Sequence, residues 1–390
     1  MKVTPFLLCA ALLGMAFPAS ARTKSHTPAR AVQLAAKRYF AGNPPAVGLS
    51  IGIYRRGQTF TYNFGRVEPG KPGAPTADTL YTIASISKTM TGAVLAKAVV
   101  AGRVKLDDDV RRYLDGDYPN LAFDGHPIRL FDLLDHRSGL PNMLPDRPEL
   151  QPGSDVSKLP WTARLADAQK TWRREEFIAA LHDVKLTAAP GKYASYSNAG
   201  AILAGYALER VYGMPFEQLA RRQLFDPLGM SDTAITLTSR QAARVAPGYD
   251  DRGARMPPVP PLMQGAAGFK SSVNDMLRYV RWGVTERDAA ARLSHEPVAI
   301  ALPADTKLAW PYAAGLNWQE LITKPDGKTR RLIWQTGGID GYFSICIEEP
   351  ELGLGLVILT NQKGAKSEGA AKAMANDILR ALDNRAVLML

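Results

Sequence analysis

Ser85 and Lys88, in Ser85-Ile86-Ser87-Lys88-Thr89-Met90-Thr91-Gly92, have a spacing that suits nucleophilic chemistry. The stretch reads as a turn feeding a helix that runs on to about residue 100. Ser85 then sits at the helix start, with Lys88 one turn along the same face, roughly 5–6 Å away between Cβ atoms. A hydroxyl with an amine beside it is a nucleophile with its base. The apolar residues around the pair predict a buried helix, and burial weakens an amine's hold on its proton. A neutral lysine can take a serine proton; a solvated one cannot. The same spacing also fits a surface lysine that merely follows a serine, so partners must be sought further along the chain.

Two later stretches supply them. Tyr193-Ala194-Ser195-Tyr196-Ser197-Asn198 follows Pro190-Gly191, which places it on a loop before a helix. A phenol and an amide two residues apart can both point into a cleft there. Tyr196 is a proton relay if nearby cations lower its pKa. Asn198 would hold Lys88 or a substrate carbonyl. The competing reading is a buried tyrosine with an asparagine capping the helix. Tyr118-Pro119-Asn120 repeats the pattern, but its Asp, Gly and Pro neighbours make it a turn. The third stretch, Trp334-Gln335-Thr336-Gly337-Gly338-Ile339-Asp340-Gly341-Tyr342, ends one strand and starts another. Adjacent glycines let backbone approach a ligand closely, and the amides of Gly338 and Ser85 could form an oxyanion hole. A plain glycine hairpin is the alternative. Gly48-Leu49-Ser50-Ile51-Gly52 matches the pattern of a different hydrolase class, which needs a strand, a sharp turn and a helix. Here the strand simply continues, so Ser50 reads as an ordinary strand residue.

Taken in this order, the three stretches resemble the serine β-lactamase and penicillin-binding-protein family, class C type, over roughly residues 47–360. Accessory stretches agree with it: 104–113, His136-Arg137-Ser138-Gly139-Leu140-Pro141, Pro227-Leu228-Gly229-Met230 and 268–276. The resemblance implies Ser85 as nucleophile, Lys88 as its base and Tyr196 as general acid/base. It implies Ser85 and Gly338 as the oxyanion hole, and Asn198, Gln335, Thr336 and Gly337 as substrate-binding residues. One position departs: the family usually has Lys or His where this chain has Gln335. A cation there helps bind a substrate carboxylate and keeps the tyrosine acidic. Arg331 and Lys363 are the candidates to replace it. The implied function is a serine hydrolase working through an acyl-enzyme on β-lactams or D-alanyl-D-alanine cell-wall peptides. An esterase with the same site, and a penicillin-binding sensor without turnover, are the alternatives. No metal or cofactor is implied; the partners are a small-molecule or peptide substrate and peptidoglycan.

The whole chain fits such a protein. Residues 1–21 read as a secretory signal, with Lys2, an apolar run and the small-x-small site Ala19-Ser20-Ala21. Cleavage after Ala21 would make the protein secreted or periplasmic and would remove Cys9. That leaves Cys346, in an apolar run, as a core residue. The apolar leader is short for a bilayer span. The 390 residues carry a net charge of +11, but basic residues are scattered without interleaved aromatics, which argues against nucleic acid. None of the five histidines has a metal-ligand spacing.

The elements needed to position the site follow from pattern. A helix is expected over 28–40, and a hairpin over 47–54 and 59–64. A short helix within 128–141 should end at a glycine stop. Strands are expected at 310–318, 330–335, 342–347 and 355–360, and a closing helix at 368–382. Helical patterns broken by Pro and Gly fill 109–301. The expected class is α/β (α+β): one antiparallel sheet from both chain ends, flanked by helices, with a mainly helical inserted lobe. The expected divisions are 22–108 plus 302–390 for the sheet lobe and 109–301 for the helical one.

Overall fold

The computed structural model describes residues 27–42, 47–153, 158–168, 170, 173–297, 299–301, 312–324 and 327–383. The leader read at 1–21 lies outside them. An eight-stranded antiparallel sheet is built from both ends of the chain. Its strands are β1 (Leu49–Arg55), β2 (Gln58–Phe64), β3 (Ala299–Ala301), β4 (Tyr312–Ala314), β5 (Gln319–Thr323), β6 (Arg330–Ile339), β7 (Tyr342–Glu349) and β8 (Leu354–Thr360). They lie in the order β2-β1-β8-β7-β6-β5-β4-β3. Residue pairs such as Ile51↔Ile358 and Ile345↔Ile358 stitch the N-terminal hairpin to the C-terminal strands.

The central strands read as unbroken apolar runs because both of their faces are covered. Leu49, Ile51, Phe343, Ile345, Leu356 and Ile358 pack toward the helices Pro28–Gly42 and Ala365–Asp383, against residues such as Val32, Tyr39 and Ile378. Successive side chains in a strand point to opposite faces. Cys346, Val357 and Leu359 therefore join the larger core on the other side, as a buried free thiol and two aliphatics. The helix Val273–Thr285, although inside the stretch read as inserted, packs on that face against β1, β7 and β8.

The helix α1 (Ile86–Val100) runs through the middle of the larger core. Residues Ile86 to Ala96 along it are all buried. A helix apolar all round is stable only as a core element, and several β-branched residues are tolerated here because packing outweighs propensity.

Two departures from the sequence expectation have physical causes. The strand expected over 310–318, whose residues 310–311 lie outside the described residues, ends at Ala314, and Asn317 then takes a left-handed φ of 64°. That turn folds β4 back onto β5, a strand that was not expected, whose short sequence with Glu320 and three exposed residues in a row lacks a strand's alternation. The short helix Leu130–Leu134 stops before its glycine. His136, at φ 65°, takes the left-handed position two residues after Leu134, and Arg137 N donates to Asp132 O at 3.0 Å, closing the helix end.

Candidate active site

Ser85 is presented by a bend in the backbone. Ala84, fully buried, sits at φ 47°, a conformation uncommon for a residue with a side chain. The bend is held on both sides: Ile83 N donates to Phe269 O at 3.1 Å, and Ser344 Oγ donates to Ile83 O at 2.8 Å. Ser85 is the residue preceding the first turn of α1, and its own side chain caps nothing in the helix. The hydroxyl is therefore free for other partners.

It has two. Lys88 Nζ lies 3.1 Å from Ser85 Oγ, and Tyr196 Oη lies 2.5 Å from it. Lys88 is 0% exposed. Its other hydrogen bond goes to the carbonyl of Ala266 at 2.8 Å, and among the described residues it makes no ion pair. Burial without a counter-charge holds its pKa well below the usual lysine value. The amine is thus the kind that can accept a proton.

Tyr196 leaves 43% of its surface open, yet its hydroxyl end is turned in toward Ser85 and Lys88 Nζ stands 4.8 Å from its ring centre. Enclosure of the hydroxyl pushes its pKa up to about 12, the bond to Ser85 offsetting this only in part. This corrects the expectation of a tyrosine made acidic by nearby cations. With Lys88 neutral there is no such cation, and Tyr196 rests as a protonated phenol, a proton donor.

The loop bearing Tyr196 leads into the helix Asn198–Tyr212, capped by Ser197, whose Oγ accepts from Gly200 N at 3.0 Å. Asn198 is thereby freed from capping. It does not hold Lys88; its Nδ2 donates to Asn142 Oδ1 at 2.6 Å. Asn142 itself, one residue past the quoted Pro141, was missed from sequence. Tyr118-Pro119-Asn120 is structural, with Asn120 Nδ2 donating to the carbonyls of Leu181 and Val184. Ser50 is an ordinary strand residue, buried and bonded to Asn63 and Tyr81.

The β6 strand supplies the facing wall. It pairs with β5 only from Arg330 to Trp334, while Gln335 to Ile339 pair with β7 alone, leaving one backbone edge open. Gly337 lets this strand touch the start of α1. A Cβ there would stand 2.2 Å from Ile83 O and 3.0 Å from Ser85 N. Ser85, Asn142, Trp161, Tyr196, Asn198, Gln335, Thr336 and Gly338 line one cavity of about 310 Å³. Trp161 and Gln319, which also lines the cavity, carried no sequence signal, since neither lies in a recognisable motif.

Gln335 is 5% exposed and fully engaged. Its Nε2 donates to Asn317 O at 2.6 Å, and its Oε1 accepts from Thr336 N at 2.9 Å. Of the two candidate replacement cations, Arg331 is spent elsewhere, in ion pairs with Glu286 and Glu351 at 2.8 and 2.7 Å. Lys363 lies close by: a Cβ built on Gly338 would meet its Cε at 2.6 Å, and it forms no ion pair among the described residues. No group of three or more His, Cys, Asp or Glu side chains among the described residues is placed to hold a metal.

The chain is 28% identical over 370 residues to the D-alanyl-D-alanine-carboxypeptidase/endopeptidase AmpH of Escherichia coli, covering 91% of this chain and 90% of that protein. It is 25% identical to a β-lactamase of Pseudomonas fluorescens, covering 86% and 94%. The crystal structure of a β-lactamase/D-alanine carboxypeptidase from Yersinia pestis superposes with a TM-score of 0.72 at 26% identity, over 90% of this chain and 98% of that one. The family description "Beta-lactamase" matches residues 37–380. With that match spanning most of its length, the chain belongs to the β-lactamase family of serine hydrolases.

Proposed function

We propose that the protein is an exported hydrolase that works through an acyl-enzyme on Ser85, with β-lactams or D-alanyl-D-alanine-ended cell-wall peptides as substrates. The observation that carries this is one hydroxyl within hydrogen-bond reach of two proton-active groups, Lys88 Nζ at 3.1 Å and Tyr196 Oη at 2.5 Å. The names of the relatives, a carboxypeptidase/endopeptidase and β-lactamases, support the substrate class. Export rests on the 1–21 leader pattern. Among the described residues no helix is long and apolar enough to cross a membrane.

In the proposed cycle, Ser85 Oγ attacks the substrate carbonyl carbon while neutral Lys88 takes its proton. Charge builds on the carbonyl oxygen, which the N–H groups of Ser85 and Gly338 receive. As the carbon–nitrogen bond breaks, Tyr196 gives its proton to the leaving amine and is reprotonated from the Lys88 ammonium. The amine of a peptide leaves, that of a β-lactam stays tethered through the opened ring, the ester on Ser85 remains, and Lys88 is neutral again. Water then attacks that ester with its proton passing to the same pair, and Ser85 departs as a hydroxyl.

The uncharged, engaged Gln335 favours a second reading, an esterase on small carboxylic esters with the same site. Intact-protein mass spectrometry after exposure to a penicillin and to an activated ester tests both. A transient adduct on the wild-type chain, absent in Ser85→Ala, is expected. Normal turnover by Ser85→Ala would exclude the mechanism, and adducts from the ester alone would select the second reading.

A further inference from the structure

We infer that His136 positions Tyr196 for turnover by gripping the main chain on both sides of the phenol. The inference rests on the reading that Tyr196 works in the reaction. Ser195 N donates to His136 O at 2.7 Å, and Ser197 N donates to His136 Nδ1 at 3.3 Å. The imidazole lies behind the phenol, ring centres 4.3 Å apart and planes inclined by 41°. One residue therefore binds the neighbour before Tyr196, the neighbour after it and the ring itself.

The clamp is anchored independently of Tyr196. His136 is the left-handed residue that ends the helix Leu130–Leu134, at φ 65°. The next residues hold their own loop: Arg137 N donates to Asp132 O and Arg137 Nη1 to Gly191 O at 2.8 Å. The backbone conformation at 136 aims carbonyl and side chain at the same three-residue segment. An Nδ1 that accepts from Ser197 N must carry a lone pair, so the ring is neutral, with any proton on Nε2. Burial supports that state by pushing the His136 pKa down to about 3.

His136 does not itself line the cavity, and Tyr196, on which it packs, does, so it acts through Tyr196. An error of about 1 Å in a catalytic group can cost on the order of 10²-fold in rate, and the 2.5 Å contact between Tyr196 and Ser85 leaves little slack.

The test compares His136→Phe, which keeps a ring but loses the acceptor, with His136→Asn. Asn tolerates the left-handed conformation and offers an amide oxygen where Nδ1 stood. Both are assayed for kcat and KM on an activated ester, alone and combined with Tyr196→Phe, with Tm as a check on folding. His136→Phe is expected to lower kcat about ten- to a hundredfold with KM changed less than threefold. His136→Asn should recover kcat to within several-fold of wild type. In the Tyr196→Phe background neither change should lower kcat further. If His136→Phe folds and keeps wild-type kcat, or if its loss persists undiminished in the Tyr196→Phe background, the clamp is refuted. If His136→Phe does not fold, His136→Asn decides: near-normal kcat supports the clamp, and a hundredfold loss with normal Tm overturns it. Wild-type kcat in Tyr196→Phe alone would instead remove the reading on which the inference rests.

Discussion

Lys88 is the residue whose state decides everything near it. An amine buried without a counter-charge is costly: each unit by which its pKa falls takes about 1.4 kcal/mol from folding while the unfolded chain's amine is charged. Against that, removing the amine leaves the Ala266 carbonyl unpaired, a cost of about 1–3 kcal/mol. Lys88→Met, close in volume, is therefore expected to hold or raise Tm while lowering kcat/KM by about 10²–10⁴-fold. A Tm far below wild type, or retained activity, would contradict it. Lys363 is the second residue to test. Its stem lies against Gly338, which lines the cavity, and position 335 offers no charge there. Lys363→Ala should raise KM for carboxylate-bearing substrates several-fold and leave a neutral ester unchanged; equal effects on both would assign it no part in recognition. The convergence of Ser85, Lys88, Tyr196 and the glycine edge was legible in sequence because each lay in a short motif. The charge state of Tyr196 was not, because it depends on Lys88 being buried from all sides.

At the scale of elements, the cavity depends on how the sheet and the helices opposite it are joined. Asp340, in the turn between β6 and β7, accepts from Thr162 N at 2.7 Å and from Thr162 Oγ1 at 3.0 Å. It thereby ties the turn to the start of the helix Trp161–Ala168, whose first residue lines the cavity. Losing a carboxylate that accepts at a helix start costs about 0.5–2 kcal/mol. Asp340→Ala is expected to release Trp161 and raise KM more than it lowers kcat. Steady-state kinetics that show a fall in kcat alone would assign Asp340 to the chemistry instead. The turn and its glycines could be read from sequence; the Asp340 partner could not, since 178 residues separate the two. The same limit explains β5, whose partner strands, not its own pattern, make it a strand.

Over the whole molecule, the sheet from both chain ends was legible because doubly covered strands leave long apolar runs in sequence. Buried ionisable groups leave no such trace, and they set the response to pH. Burial raises Asp132 to about 6, raises Asp135, with Asp132 beside it, to about 7, and raises Glu320 to about 7. These groups keep protons in the fold that the unfolded chain has lost, so each makes stability fall as pH rises from about 4 through its folded value. Burial would lower His295, but Glu286 and Glu348, 3.0 and 3.3 Å away, outweigh it and raise it to about 9. Its stabilisation is full below its unfolded value of 6.5 and is lost as pH passes 9. Glu286 is the counterweight: burial would raise it, yet His295 and Arg331 hold it to about 2, so its stabilisation is lost only in strong acid. Lys88 runs the other way, its cost easing as pH climbs toward the usual lysine value. His136, held neutral at about 3, runs with Lys88, its cost easing as pH climbs to 6.5. Three carboxyls and one imidazole still outnumber these two groups, so Tm should be highest near pH 5 and fall toward pH 9. Activity should do the opposite, rising with pH to a plateau as Lys88 sheds its proton. Thermal melts and kcat/KM measured across about pH 4.5–9.5 test both trends, and Asp135→Asn should flatten the fall in Tm below pH 7. A Tm that holds level or climbs between pH 5 and 9 would mean that these buried acids are already ionised in the fold.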